Sequence, residues 1–157
     1  MLTATSSSRI DISKESLTAN LARKFSKILK RGDVVFLYGE IGVGKTTFVK
    51  YLINNLQKQN KVPLTEVTSP TFSLLNEYQI KDLTIQHFDL FRLKDGSETR
   101  NIGLFENYND ILTLIEWPEK ITYKPKIKYD FYFEYDDRSE KRFLGIYKNS
   151  LEFTKIW

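Results

Sequence analysis

The chain has 157 residues, 41% apolar and 28% charged, which is the make-up of a globular protein with a buried core rather than of a disordered chain. Its 24 basic and 20 acidic side chains leave a net charge of +4, compatible with a polyanionic partner without requiring one. The absence of cysteine and the single histidine exclude disulfides, thiolate catalysis, zinc ribbons and any multi-histidine metal site.

Ser13 is placed to cap a helix carrying Leu17, Leu21, Phe25, Ile28 and Leu29 at helical spacing, with Gly32 ending it. Val34 to Tyr38 is a short continuous apolar run bounded by Gly32 and Gly39, the pattern of a buried central strand. Thr46 to Leu56 reads as a helix whose apolar face is Phe48, Val49, Leu52, Ile53 and Leu56. A polar connection containing Pro63 spans residues 57–66. Ser73 to Ile80 and Leu83 to Leu90 read as a hairpin turning at Lys81-Asp82. Residues 94–101 are expected to hold a turn or short helix, and Ile111 to Ile115 a buried strand ending at Glu116. Ile127 to Tyr135 and Arg142 to Tyr147 form a second expected hairpin around Asp136 to Ser139.

No repeat or linker divides the sequence, so residues 1–157 are expected to form a single domain. No apolar run approaches the roughly 18 residues of a membrane span. The opening Met1 to Ser8 lacks the basic-then-apolar order of a signal peptide, so a cytoplasmic protein without membrane contact is expected.

Between the first strand and its helix stands Gly39-Glu40-Ile41-Gly42-Val43-Gly44-Lys45-Thr46, a match to G-x-x-x-x-G-K-[ST]. The glycines let the backbone curl its N–H groups toward phosphate oxygens, and the helix that follows presents its positive end. Lys45 can reach the β and γ phosphates, and the Thr46 hydroxyl can ligate Mg²⁺. The strand before and the helix after are the context this motif needs, so a nucleoside triphosphate site follows from the residues themselves. Thr47 continues the loop into the helix.

Hydrolysis at such a loop also needs a carboxylate near a strand end. Asp89 and Glu116 are the candidates. Glu116 is the expected partner of Mg²⁺ or of the attacking water, and Asp89 the holder of a metal-bound water; capping of the next turn is the alternative for both. Thr68-Ser69-Pro70-Thr71 occupies the place of a nucleotide-sensing switch, with Thr71 preferred, or is an ordinary turn set by Pro70. Arg92 can stabilise phosphate charge or make a salt bridge or partner contact. His87 is expected to pack within its strand, and Trp117 to pack in the core or an interface, with a place near the nucleotide as the alternative. Lys124-Pro125-Lys126-Ile127-Lys128 reads as a solvated face, with an RNA or partner contact as the alternative.

The P-loop segment, Thr68-Ser69-Pro70-Thr71-Phe72, Asn76-Glu77-Tyr78, His87-Phe88-Asp89-Leu90-Phe91-Arg92-Leu93 and Ile115-Glu116-Trp117-Pro118-Glu119 occur in that order. Together they resemble the TsaE family of P-loop ATPases of tRNA threonylcarbamoyladenosine synthesis, over roughly residues 13–147. The resemblance implies an α/β fold, a three-layer P-loop domain with a mixed, partly antiparallel sheet and flanking helices. It implies slow ATP hydrolysis with Mg²⁺, dependent on a TsaD–TsaB complex that itself transfers the threonylcarbamoyl group, with tRNA met indirectly. It gives Lys45, Glu116 and Asp89 as catalytic, Gly39 to Thr47 as ATP-binding, and Thr46 and Glu116, with Asp89 through water, as metal-binding. Ser16, beside Glu15, and Arg142, in a turn with Arg138 and Lys141, are added toward the nucleotide. The family's usual Asp-Leu-Gly-Ala is here Glu40-Ile41-Gly42-Val43, and Phe91 replaces a usual tyrosine, so its ring is given no role. A small-molecule kinase and a non-hydrolysing nucleotide-binding module remain as alternatives.

Overall fold

The structure, a computed structural model, describes residues 9–154; the Met1 to Ser8 reading lies outside them. Eight strands form one sheet: β1 (Ile10–Asp11), β2 (Val34–Tyr38), β3 (Leu75–Ile80), β4 (Leu83–Asp89), β5 (Leu112–Glu116), β6 (Tyr129–Tyr135), β7 (Arg142–Lys148) and β8 (Leu151–Glu152). Their order is β1-β7-β6-β2-β5-β4-β3, with β8 also pairing β7. The centre is parallel, β2 lying between β5 and β6 and β5 beside β4, while the hairpins β3–β4 and β6–β7 make both flanks antiparallel. This is the mixed α/β sheet expected from the sequence.

Burial explains the arrangement. Val34, Val35, Phe36 and Leu37 of β2 are all fully buried, because both faces of the sheet are covered there. Alternation sends Val35 and Leu37 toward the helices α1 (Glu15–Phe25) and α2 (Lys45–Gln59), where they join Leu21, Phe25, Phe48 and Leu52. Val34 and Phe36 point to the other face, among Phe88, Leu90, Leu93, Ile115 and Ile121. That third layer consists of 3-10 helices over Gly96–Ile102 and Pro118–Lys120 and the irregular chain around them. Phe25 centres the aromatic packing of the helical face, its ring 5.0 Å from Phe131 and 6.2 Å from Phe48, both edge-on.

Several local expectations change. Ser13 does not cap α1; the cap position is Lys14, without a side-chain hydrogen bond. Ser13 Oγ instead accepts the Arg142 backbone N–H at 3.0 Å, tying the helix entrance to β7. α1 ends at Phe25, where the Ser26 hydroxyl turns back to the Arg23 carbonyl at 2.6 Å. Leu29 remains buried beyond it, whereas Leu17 faces solvent and Thr18 takes the inward position. The apolar face read for α2 is buried throughout. Two strands start later than read, β3 at Leu75 and β6 at Tyr129, while β7 runs one residue further, to Lys148. The β6–β7 turn is held by Asp136, whose Oδ1 accepts the N–H groups of Glu140 and Lys141 at 2.7 and 3.0 Å. No helix among the described residues is long and apolar enough to cross a membrane.

Candidate nucleotide site

The loop from Gly39 to Gly44 leaves the C-terminal end of β2 and closes onto the first turn of α2. Gly39, at φ +145°, permits this, because a Cβ there would lie 2.7 Å from the Phe133 carbonyl oxygen and 2.8 Å from Val43 Cγ1. Val43 is fully buried in the helical-face core, so it anchors the loop instead of facing a ligand.

A cavity of 340 Å³ opens above the loop, lined by Ile41, Gly42, Gly44, Lys45, Thr46, Thr47, Ser69, Thr71, Asp89, Phe91, Glu116 and Trp117. Most of the residues expected at the nucleotide therefore share one cleft. Gly39, Glu40 and Val43 belong to the loop without lining the cleft, and Glu40 borders a smaller hollow beside Tyr38 and Tyr132. Ser16 is exposed on α1 and does not line it. Arg142 stands beside the loop: its Nη1 would be 3.9 Å from a Cβ on Gly44, and its Nη2 donates to the Ser13 carbonyl at 3.0 Å.

Lys45 is 4% exposed, and its ammonium donates to the Gly39 carbonyl and lies 3.9 Å from the centre of the Trp117 ring. Burial pushes the lysine below its ordinary value, opposed by the negative charges of Glu116, Asp89 and Glu119. The ammonium thus sits as a desolvated cation at the base of an open cleft, where an anion supplies what burial withholds.

The carboxylates come from neighbouring parallel strands. Asp89 and Glu116 are register partners at the ends of β4 and β5. Thr46 Oγ1, in the first turn of α2, lies 3.1 Å from both oxygens of Glu116. His87 Nε2 is 2.7 Å from Glu116 Oε2. Asp89 Oδ2 accepts the hydroxyls of Ser69 at 2.6 Å and Thr71 at 3.0 Å, and its Oδ1 accepts the Phe91 N–H at 3.0 Å. The segment before β3 is thereby fastened to β4 through Asp89. The Arg92 guanidinium donates to the Phe72 carbonyl, a second tie on the same segment, and does not reach the cleft.

Trp117 forms a wall of the cleft, its ring 5.0 Å from that of Phe91. Its backbone is left-handed at φ 61°, unusual for a bulky side chain and the kind of strain that collects at functional sites. Ser69 and Phe91 carried no assignment of their own in the sequence. The serine had a signal in the hydroxyl-rich Thr68 to Thr71 run, whereas nothing local marks Phe91. The 124–128 stretch divides: Lys124 and Lys126 are exposed, but Lys128 pairs with the buried Asp130 at 2.5 Å.

The donor set Thr46, Glu116 and Asp89 is all hard oxygen, as Mg²⁺ prefers. Among the described residues no cluster of three His, Cys, Asp or Glu side chains can hold a metal by itself. That fits an ion carried mainly by phosphate oxygens and water.

Comparison with known proteins agrees with the geometry. The profile of the family "Threonylcarbamoyl adenosine biosynthesis protein TsaE" matches residues 12–143. The chain is 42% identical over 110 residues to the tRNA threonylcarbamoyladenosine biosynthesis protein TsaE of Rickettsia bellii, covering 70% of this chain and 74% of that one. The TsaE protein of Rickettsia felis is 40% identical over 110 residues, which span 70% of this chain and 62% of that relative. The TsaE protein of Aquifex aeolicus is 36% identical over 109 residues, 69% of this chain and 75% of that one. In fold, the chain resembles the crystal structure of Bacillus subtilis YdiB with a TM-score of 0.65 at 21% identity, over 94% of this chain and 86% of that chain. A cleft built on a P-loop and two strand-end acids, in a chain matched by one family over most of its length, places this protein in the TsaE family of tRNA threonylcarbamoyladenosine biosynthesis.

Proposed function

We propose that the chain binds ATP in the 340 Å³ cleft and hydrolyses it slowly, in support of the threonylcarbamoylation of tRNA. The observation that carries this reading is the convergence of Lys45, Thr46, Asp89 and Glu116 on one cavity at the N-terminus of α2. The polyphosphate is expected along the loop from Gly39 to Thr47, with Thr71 near its terminal phosphate and Ser16 and Arg142 toward the nucleoside end.

In this reading the Lys45 ammonium leaves the Gly39 carbonyl and neutralises phosphate charge. Water attacks the γ-phosphorus in line, a P–O bond forms to the water oxygen, and the bond to the β,γ-bridging oxygen breaks. ADP and inorganic phosphate leave, and the water's proton passes to phosphate or solvent. Glu116 orients the water or the metal side of the site, and Asp89, already gripping Ser69 and Thr71, couples the cleft to the segment before β3. Thr46 and Glu116, with Asp89 through water, would hold Mg²⁺, which would supply Lewis-acid charge.

The partner we assign is a TsaD–TsaB-like complex, with tRNA met through it and no membrane involved. Reconstitution tests the reading. Phosphate release stimulated by TsaD–TsaB, lost in Glu116→Ala while ATP still binds, is the expected outcome. Label appearing on an added metabolite makes the chain a kinase instead. No turnover with partners and tRNA present leaves a nucleotide-binding module.

A further inference from the structure

His87 is 0% exposed and is the only histidine in the chain. Alternation along β4 places Ile85, His87 and Asp89 on one face of the sheet. The register with β5 sets His87 opposite Leu114 and Asp89 opposite Glu116. His87 is therefore one step below the two acids on the side facing α2, diagonal to Glu116. Its Nε2 reaches Glu116 Oε2 at 2.7 Å, while among the described residues Nδ1 finds no partner. A neutral imidazole has one donor and one acceptor nitrogen. An ionised Glu116 can only accept, which assigns the donor role to Nε2 and, in a neutral ring, the acceptor role to Nδ1.

An isolated core histidine needs no carboxylate at its Nε2. The bond has a directional effect on Glu116 instead. Oε2 takes the histidine proton and a share of the Thr46 hydroxyl, whereas Oε1 takes only the Thr46 share. We propose that His87 is a positioning residue, locking the Glu116 carboxylate so that Oε1 is the oxygen presented to the cleft. This rests on the reading of Glu116 as the acid of an ATP and Mg²⁺ site. Outer partners of this kind tune metal affinity or activity by about 10- to 100-fold.

Because there is one histidine, the imidazole nitrogen-15 NMR spectrum of the whole protein reports His87 alone. The expected spectrum shows a protonated, exchange-protected Nε2 and an unprotonated Nδ1, with the Nε2 resonance displaced in Glu116→Gln. An Nδ1–H tautomer, or no response to Glu116→Gln, overturns the proposal. The second arm compares His87→Leu with His87→Gln, whose amide N–H keeps a donor, after both are shown to melt cooperatively. In His87→Leu the gain in ADP affinity on adding Mg²⁺ should shrink about ten-fold, with Mg²⁺-free affinity held within about two-fold and recovery in His87→Gln. Equal losses in both variants, or no loss in His87→Leu, overturn it. Neither arm uses turnover, so a wild-type protein that fails to hydrolyse ATP defeats the proposed function without deciding the role of His87. If the variants do not fold, the wild-type spectrum still decides the tautomer.

Discussion

The Thr46 hydroxyl and the Glu116 carboxylate, 70 residues apart in sequence, meet at 3.1 Å through both carboxylate oxygens. One hydroxyl proton shared by two acceptors latches the first turn of α2 to the end of β5. The contact joins the first turn of α2 to the acid-bearing strand. Removing the acid while keeping its shape, Glu116→Gln, is expected to leave Mg²⁺-free ATP affinity within about three-fold and lower partner-stimulated phosphate release by about 100-fold. Equilibrium binding and a phosphate assay on the same preparation check both numbers.

Lys45 sits where its charge is costly to the unliganded fold. Burial holds it below the ordinary lysine value of 10.5, so the unfolded chain binds that proton more tightly than the folded one. The penalty is complete below the folded value and is relieved as pH rises through it toward 10.5. Lys45→Met is therefore expected to melt, without nucleotide, no lower than the wild type at pH 7. Its ATP affinity should fall at least about ten-fold. Calorimetry across pH should show the stability difference narrowing on the alkaline side.

Gly39→Ala addresses the loop backbone. With φ at +145° and a carbonyl oxygen 2.7 Å from the new methyl, the loop has to shift. Loss of about 2 kcal/mol or more of stability is expected from urea unfolding, together with loss of nucleotide binding.

Trp117 gives an optical signal, because its ring lies 3.9 Å from the Lys45 ammonium. Lysine movement onto phosphate should change the indole emission on ADP addition. The change should vanish in Trp117→Phe and should be absent in Lys45→Met.

Tyr38 and Tyr132 stack with centroids 4.7 Å apart above the buried Asp130. Burial, then the charge of Asp130, raises Tyr38 well above the ordinary phenol value and pushes Tyr132 up to about 12. A raised folded value means that this contribution to stability is complete below about pH 10 and is lost as pH climbs to about 12. Ultraviolet titration should find a late-ionising class among the nine tyrosines, reduced in Tyr132→Phe, with unfolding accompanying its ionisation.

The parts of the site written contiguously were readable before the fold. The P-loop has a fixed spacing, the apolar run of β2 and the face of α2 supply its context, and Asp89 and Glu116 each close a strand. The cleft's other walls depend on strand pairing. Nothing within ten residues of His87 announces a bond to an acid 29 positions away, which exists only because β4 and β5 run parallel in one register. Trp117 reads first as core or interface packing, and its place on the cleft wall goes with a left-handed backbone that its sequence does not announce. Ser13 illustrates the opposite error: a good capping residue by type, it is claimed by Arg142 across 129 residues. β1 and β8 have two residues each, too short for periodicity to show.

Val43, at the middle of the phosphate loop, contributes its side chain to the core. Burial of Val43 fixes the middle of the loop as part of folding. In the proposed reading, capture of a triphosphate needs the Lys45 side chain to change partners. Association should run at the rate of a side-chain event, with little temperature dependence beyond that of diffusion. Variants that loosen position 43 should bind more slowly as well as more weakly.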